Sequence, residues 1–438
     1  MSNKPAIVPR NILFPFLLLS TCFAMWGLSN NMTDPLVKAF KGIFTDLSTF
    51  QLSLIQNAFY GAYFCLAIPG AIIARKFGYK KGILFGLGMY IVGGLLFLPA
   101  SNMKEYAPFL FAFFVLAGGL SILETSANPY IIAMGPEKTA TQRLNIAQSF
   151  NPVGSLIGLF VCKFAILKKL EAVKVPEGVD AAARDAIQSE QLSIVMTPYL
   201  IAALVLIILW VLIAINKNMP SETEHDSQTH FSVTIKQLLN TPNYIFAVIA
   251  QFFYVGAQIT VWTYTLHYIT GQLGIEDSQA MNYHMGAIIS FALSRWIFSA
   301  LMLRFKPSSL LLIASITGLG LCFSVIFVGG IVGVYSLVAV SACMSLMFPT
   351  IFGLGSRGLG EATKLGASGL IMAILGGALI TMGQGGLIDF FLDGAKSEGM
   401  ALGAAAAKSY ALPAICFVVI AAYAFYCKKN KIEDRMAT

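Results

Sequence analysis

The chain has 438 residues and a net charge of +8, with 57% hydrophobic residues and only 11% charged, against about 25% charged in an ordinary soluble domain. So few ionisable side chains cannot coat a 47.2 kDa globule, and with a mean hydropathy of +0.74 a soluble or disordered chain is excluded. The positive excess is spread through short segments between apolar runs, not gathered into a patch, so no nucleic-acid partner is expected.

Lys4 and Arg10 precede the first apolar run, as they would in a secretory leader. That run continues past any plausible cleavage site into Trp26 and Asn31, and it reads as a first span instead. Taking about twenty apolar residues as one crossing, twelve spans follow: 12–36, 51–74, 82–100, 109–134, 143–167 and 194–215, then 244–268, 281–303, 309–329, 333–354, 366–388 and 410–427. The stretch 216–243 has no spanning potential and separates residues 1–215 from 244–438 as two six-helix bundles. Within it, Phe231–Leu239 has the pattern of an amphipathic surface helix. Lys168–Glu190 is expected to form a short external helix. With both termini cytoplasmic, eighteen of the 29 Lys and Arg fall on the cytoplasmic side and ten on the other, as the positive-inside rule requires. All seven Cys lie in or beside apolar runs without paired spacing, so neither a disulfide nor a metal site is expected.

The fold class is therefore an all-α polytopic membrane protein of twelve transmembrane helices in a 6+6 arrangement. Internal echoes support the duplication. Asn128-Pro129-Tyr130 in the fourth span matches Phe348-Pro349-Thr350 in the tenth, and each is followed by a Gly. The loop from Gly70 to Lys81 resembles the basic loop of the major facilitator superfamily, with Ala74 where an Asp is usual. Topology anchoring alone would also account for a short basic loop.

Acidic residues well inside spans are rare: Asp34 in the first and Glu124 in the fourth, with Asp389 reading as interfacial. A carboxylate at mid-bilayer costs about 2.5–3.5 kcal/mol on the lenient insertion scale and persists mainly where it works. Because burial disfavours the charged form, such a group can take up and release a proton. Amides gather around the two acids. Asn30, Asn31 and Asp34 follow Trp26 in the first span, and Gln56, Asn57 and Tyr60 open the second. Glu124 and Asn128 lie four apart in the fourth, and Gln148, Asn151 and Ser155 share a face of the fifth. Gln251, Tyr254, Gln258 and Trp262 form one stripe of the seventh. Amides offer both a donor and an acceptor, which suits a ligand made of hydroxyls, and flat aromatics suit the apolar face of a sugar ring. The alternative is interhelical bonding, for which a single amide is sufficient explanation. Arg295 in the eighth span would imply an acidic sugar if it paired with a substrate carboxylate, but it reads as a residue near the cytoplasmic end that snorkels or pairs with helix carbonyls.

Three runs, 30–34 (Asn-Asn-Met-Thr-Asp), 123–129 (Leu-Glu-Thr-Ser-Ala-Asn-Pro) and 143–151 (Arg-Leu-Asn-Ile-Ala-Gln-Ser-Phe-Asn), together with 251–258 and 348–352, resemble the fucose–galactose–glucose:proton symporters of the major facilitator superfamily. The resemblance covers nearly the whole chain. It implies that Asp34 and Glu124 are proton-coupling carboxylates and that Gln148 and Asn151 help hold the sugar. One departure is Phe348, where the fucose-carrying members have a Tyr; it bears on which sugar is carried.

The sequence thus predicts a secondary transporter of the bacterial inner membrane that imports a neutral monosaccharide with a proton, from a cavity between the halves. Asp34 is expected to carry the proton, and Glu124 to link proton state to sugar binding. Asn31, Asn128, Gln148, Asn151, Gln251 and Gln258 are expected to meet sugar hydroxyls, and Trp26 and Trp262 the ring. The partners are the sugar, the proton and membrane lipid; no cofactor or metal is expected, and one chain suffices. A sodium-coupled or uncoupled sugar carrier fits the amides equally well, but an uncoupled one leaves both acids unexplained. A drug exporter would need a more apolar cavity. A membrane enzyme would need a nucleophile–base set or metal ligands, which no pair of spans supplies.

Overall fold

The computed structural model describes residues 6–44, 49–173, 181–220, 231–395 and 402–434, except the side chains at 30, 33–39, 41–42, 49–53, 171, 181, 277–278 and 393–395. Among the described residues, twelve helical segments are long and apolar enough to cross a bilayer. The first four spans are single helices: α1 (Leu13–Ile43), α2 (Thr49–Phe77), α3 (Tyr79–Met103) and α4 (Tyr106–Ala133). The fifth is built from α5 (Ala140–Gln148), α6 (Phe150–Val161), a π-helical stretch and α7 (Lys168–Ala172); the sixth is α8 (Ala181–Ile215). A short helix α9 (Phe231–Leu239) precedes α10 (Pro242–Leu273), α11 (Asp277–Leu301) and α12 (Pro307–Phe327), which are spans seven to nine. The last three are again broken: α13 (Gly330–Met344) with α14 (Met347–Gly355), α15 (Thr363–Met372) with α16 (Gly376–Ala395), and α17 (Leu402–Ser409) with α18 (Ala411–Lys429).

Proline explains three of these breaks. Its missing N–H and its ring disturb the helix around the carbonyl four residues earlier. Pro152, Pro349 and Pro413 each lie three to four residues after an interruption, at Ser149, Ser345–Leu346 and Tyr410. The expected short helix forms as α9, with Thr234 and Leu238 buried and Phe231, Ile235 and Leu239 exposed. The expected separate external helix differs. From Ala181 onward its residues belong to α8, and 174–180 lie outside the described residues.

The chain packs as two units. The first comprises Arg10–Tyr130 and Phe150–Glu224. Here α1 lies along α6, α3 along α8, and α2 beside α3. Lipid tails are as apolar as the side chains, so close van der Waals packing drives these contacts, and small residues let backbones meet. Gly27 and Gly154 serve this at the α1–α6 contact: a Cβ on either would collide with the carbonyl of Asn151 or of Ala24. An aromatic core fills another part of the unit, with Phe97 stacked on Tyr199 at 4.8 Å and edge-on to Phe113 at 5.0 Å.

The second unit comprises Met1–Pro9, Ile131–Ser149 and His225–Thr438. In it α12 packs on α13 and α18, α10 on α16 and α18, and α11 on α13. The short α5, which lies in the first six spans by sequence, packs here against α14. Arg143 on α5 is fully buried and donates to the carbonyls of Ile131, Ile132 and Gly135 at the end of α4. The last carbonyls of a helix lack the N–H four residues on, and among the described residues only Ile131 O of these three has a backbone substitute, the Met134 N–H at 3.4 Å. The arginine of the 143–151 motif therefore closes a helix end.

Candidate functional site

In the first unit, three side chains from three helices form one hydrogen-bonded line. The Trp26 indole N–H on α1 donates to the Tyr63 hydroxyl on α2, and that hydroxyl donates to Glu124 Oε1 on α4 at 3.1 Å. Tyr63 is fully buried and Glu124 is 3% exposed, so water does not compete for these bonds. Ser121 Oγ fixes the backbone around the tyrosine by donating to Tyr63 O at 2.9 Å. Chemistry dictates the direction of the line. An indole nitrogen only donates, whereas a phenol has one hydrogen and can accept as well. With Trp26 occupying the acceptor side, the single Tyr63 hydrogen goes to the carboxylate.

The surrounding predicted residues take different positions. Asn128 is fully buried one turn beyond Glu124. Asn31 is half-buried, and its amide N–H donates back to Gly27 O on its own helix at 3.1 Å. Asn151 is half-buried on α6, where α6 meets Gly27. Asp34 lies in the turn of α1 whose side chains are outside the described residues, as does Asn30.

In the second unit the polar cluster centres on Arg295 of α11, which is 3% exposed. Its Nε donates to Ser345 O at 2.5 Å and its Nη1 to Gln148 O at 3.1 Å. Ser299 Oγ, one turn on, donates to Arg295 O and lies 3.4 Å from Ser149 Oγ. Asn145 Nδ2 reaches Thr350 Oγ1 at 3.3 Å, again joining α5 to α14. The guanidinium lies 4.8 Å from the Phe291 ring centre, a cation–π distance. Phe291 in turn meets Trp262 edge-on at 5.1 Å, and the Trp262 N–H donates to Ser341 Oγ at 3.2 Å. On α10 the Tyr254 hydroxyl donates to Gln258 Oε1 at 2.7 Å, and its ring faces Phe348 at 6.3 Å. Gln251 is fully buried, and among the described residues neither of its amide atoms has a partner. A buried amide with nothing to bond costs about 1–3 kcal/mol, so Gln251 is an unspent donor and acceptor.

The structure thus joins Trp26 to Glu124 in one unit, and Gln148 and Trp262 to Arg295 in the other. Two participants were not among the expected site residues. Tyr63 continues the Gln56–Tyr60 face at i+7, a spacing that could have flagged it. Arg295 does pair with helix carbonyls, as expected, but it is buried at the hub of the cluster and not snorkelling.

Comparison with known proteins gives the family. Residues 16–383 match the family model of the Major Facilitator Superfamily. An L-fucose-proton symporter of Haemophilus influenzae is 39% identical over 427 residues, covering 96% of this chain and 97% of the relative. A glucose/galactose transporter of Brucella abortus is 31% identical, covering 96% of each. A crystal structure of the transporter FucP in the outward conformation superposes with a TM-score of 0.83 at 34% identity, covering 95% of this chain and 99% of that one. The chain is an integral membrane protein of the major facilitator superfamily and belongs to its fucose–galactose–glucose:proton symporter family.

Proposed function

We propose that this protein is a secondary active transporter that imports a neutral monosaccharide, of the L-fucose, galactose or glucose type, together with a proton by alternating access. One observation carries the reading: a carboxyl group, Glu124, buried inside a transmembrane helix with a tyrosine hydroxyl as its donor. An acid in that place serves a carrier that loads and unloads a proton, and the names of the relatives point to sugars as the cargo.

In mechanistic terms, Asp34 carries the proton, and Glu124, through its own protonation, links proton state to sugar binding. The amides of Asn31, Asn128, Gln148, Asn151, Gln251 and Gln258 meet sugar hydroxyls, and Trp26 and Trp262 the ring. Because Trp26 bonds Tyr63 and Tyr63 bonds Glu124, a sugar that engages Trp26 alters the donor that the carboxylate sees. Sugar occupancy and proton occupancy are thereby linked through one hydroxyl. Inward movement of one positive charge gains about 2.3 kcal/mol per 100 mV of membrane potential. We read both termini as cytoplasmic, the membrane as a bacterial inner membrane, residues 1–215 and 244–438 as the two bundles about the 216–243 linker, and one chain as the working unit.

The test is external pH recorded as L-fucose, D-galactose, D-glucose and an N-acetylhexosamine are added in turn to de-energised cells making the protein. Alkalinisation with one sugar, lost in Glu124→Gln, supports proton symport and names the cargo. Radiolabelled uptake without any pH change, and undiminished in Glu124→Gln, overturns it in favour of sodium coupling or facilitated diffusion.

A further inference from the structure

The two carbonyls held by Arg295 share a peculiarity. In an α-helix the carbonyl of residue i accepts from the N–H of residue i+4. Four residues beyond Gln148 stands Pro152, and four residues beyond Ser345 stands Pro349. Neither proline has an N–H to give. Two prolines in two different spans therefore strip two carbonyls of their helical donors, and one guanidinium supplies both. The breaks fall at the same points: α5 stops at Gln148 before α6 resumes at Phe150, and α13 stops at Met344 before α14 resumes at Met347. Within a bilayer no water is available to replace the missing donors, so irregular backbone survives only where protein satisfies it. Lysine is a poorer fit here, since its three donors radiate from one freely rotating point, whereas the guanidinium presents Nε and Nη1 in a fixed planar fork.

We propose that Arg295 is a positioning residue for the sugar site: it holds the two proline-freed carbonyls, and so fixes the break that carries Gln148 and the break that precedes Phe348. What is being positioned rests on the sugar reading above; the clamp itself does not. On its other side the guanidinium lies against Phe291, which carries Trp262 edge-on, so the same group orders a predicted ring contact as well. Arginine keeps its charge at all pH values of transport, so its task differs in kind from that of Glu124.

The experiment is a double-variant cycle in the full-length protein. Arg295→Gln, Arg295→Lys, Pro349→Ala and the combination of Arg295→Gln with Pro349→Ala are reconstituted in proteoliposomes. Initial uptake of L-fucose, D-galactose and D-glucose is measured from pH 5.5 to 8.5, and thermal unfolding is followed in detergent. Arg295→Gln should raise KM for the carried sugar by about tenfold or more, the scale of a hydrogen bond to a charged group, with the pH midpoint of uptake unmoved. Arg295→Lys should recover little of that loss. Pro349→Ala returns an N–H to the Ser345 carbonyl, so in the Arg295→Gln background it should restore KM at least about threefold and raise Tm, a coupling that independent sites would not show. Strictly additive effects of the two changes, a wild-type KM in Arg295→Lys, or a shifted pH midpoint in Arg295→Gln would each overturn the proposal. If the wild-type chain carries none of the three sugars, the sugar reading is what fails, and the clamp is then decided by the Tm cycle alone.

Discussion

In the first unit a buried acid is satisfied by side chains; in the second a buried base is satisfied by backbone. Glu124 receives the Tyr63 hydroxyl, a side-chain donor that either the carboxylate or the protonated carboxyl can accept. Arg295 donates to Gln148 O and Ser345 O, two atoms fixed in the chain that cannot reverse their roles. The first arrangement tolerates a change of protonation, because a carboxyl that has gained a hydrogen keeps a carbonyl oxygen to accept from the phenol. The second tolerates none. Similar desolvation therefore serves opposite ends: a group that is meant to change charge, and a group whose constant charge keeps two broken helices in place.

The largest break in this contrast comes from Glu124→Gln. The amide keeps an oxygen for Tyr63 but carries no ionisable proton, so proton-driven accumulation should fall about a hundredfold or more, the scale of removing a group acting in the coupled step. Sugar exchange down its own gradient should persist, and its rate should become flat from pH 5.5 to 8.5. Uptake against a gradient that survives in Glu124→Gln would remove the first unit's claim to the proton. Tyr63→Phe should do less. It deletes only the hydroxyl, leaving the Trp26 N–H and one carboxylate oxygen without that partner, at a cost of about 1–3 kcal/mol. Accumulation should drop about tenfold, and the same change made in a Trp26→Phe background should cost less, because the indole donor has already gone. Equal costs in the two backgrounds would mean that the three side chains do not act as a line.

Phe348→Tyr sharpens the second unit. The ring lies edge-on to Tyr254 at 6.3 Å, and the Tyr254 hydroxyl is already committed to Gln258, so a phenol at 348 adds a donor that this pair does not supply. The preference for L-fucose over D-galactose should rise by about three- to tenfold, the worth of one hydrogen bond to a neutral group. Competition between the two sugars for uptake is the measure, and an unchanged ratio would place position 348 away from the sugar.

The twelve spans were legible because a bilayer demands some twenty apolar residues per crossing, whatever their packing. Glu124 was legible for the converse reason, as a charge in an apolar run. Tyr63 was not, since a tyrosine in a span is as much a packing residue as a polar one, and only its neighbours settle which. The two halves of the Arg295 clamp were each visible as prolines inside predicted spans. Their common partner was hidden, because it is separated from Gln148 by 147 positions and from Ser345 by 50, and no local pattern encodes such a pairing. The breaks at Ser149 and Ser345 were likewise read as continuous helix, since hydropathy does not register a carbonyl that has lost its donor.

If burial, and not charge as such, gives Glu124 and Arg295 their weight, an exposed ion pair should contribute almost nothing. Lys306 and Asp434 provide that control. Lys306 Nζ lies 2.9 Å from Asp434 Oδ2, with side-chain exposures of 58% and 54%, beside a cavity of about 840 Å³ that both help to line. The Asp434 carboxylate, by accepting that hydrogen bond, holds the lysine above its ordinary value of 10.5. A group raised in the folded state contributes fully below its unfolded value and loses that contribution as pH climbs through the folded one. Asp434→Asn should therefore lower Tm only marginally, by a constant amount between pH 7 and 9, and the difference should close above pH 10.5 or on adding salt. A loss of stability as large as the ~1–3 kcal/mol expected of Tyr63→Phe would mean that charge alone suffices; a small drop that persists at high pH would trace instead to the neighbouring Glu433, whose carboxylate accepts the Ser308 backbone N–H at the start of α12.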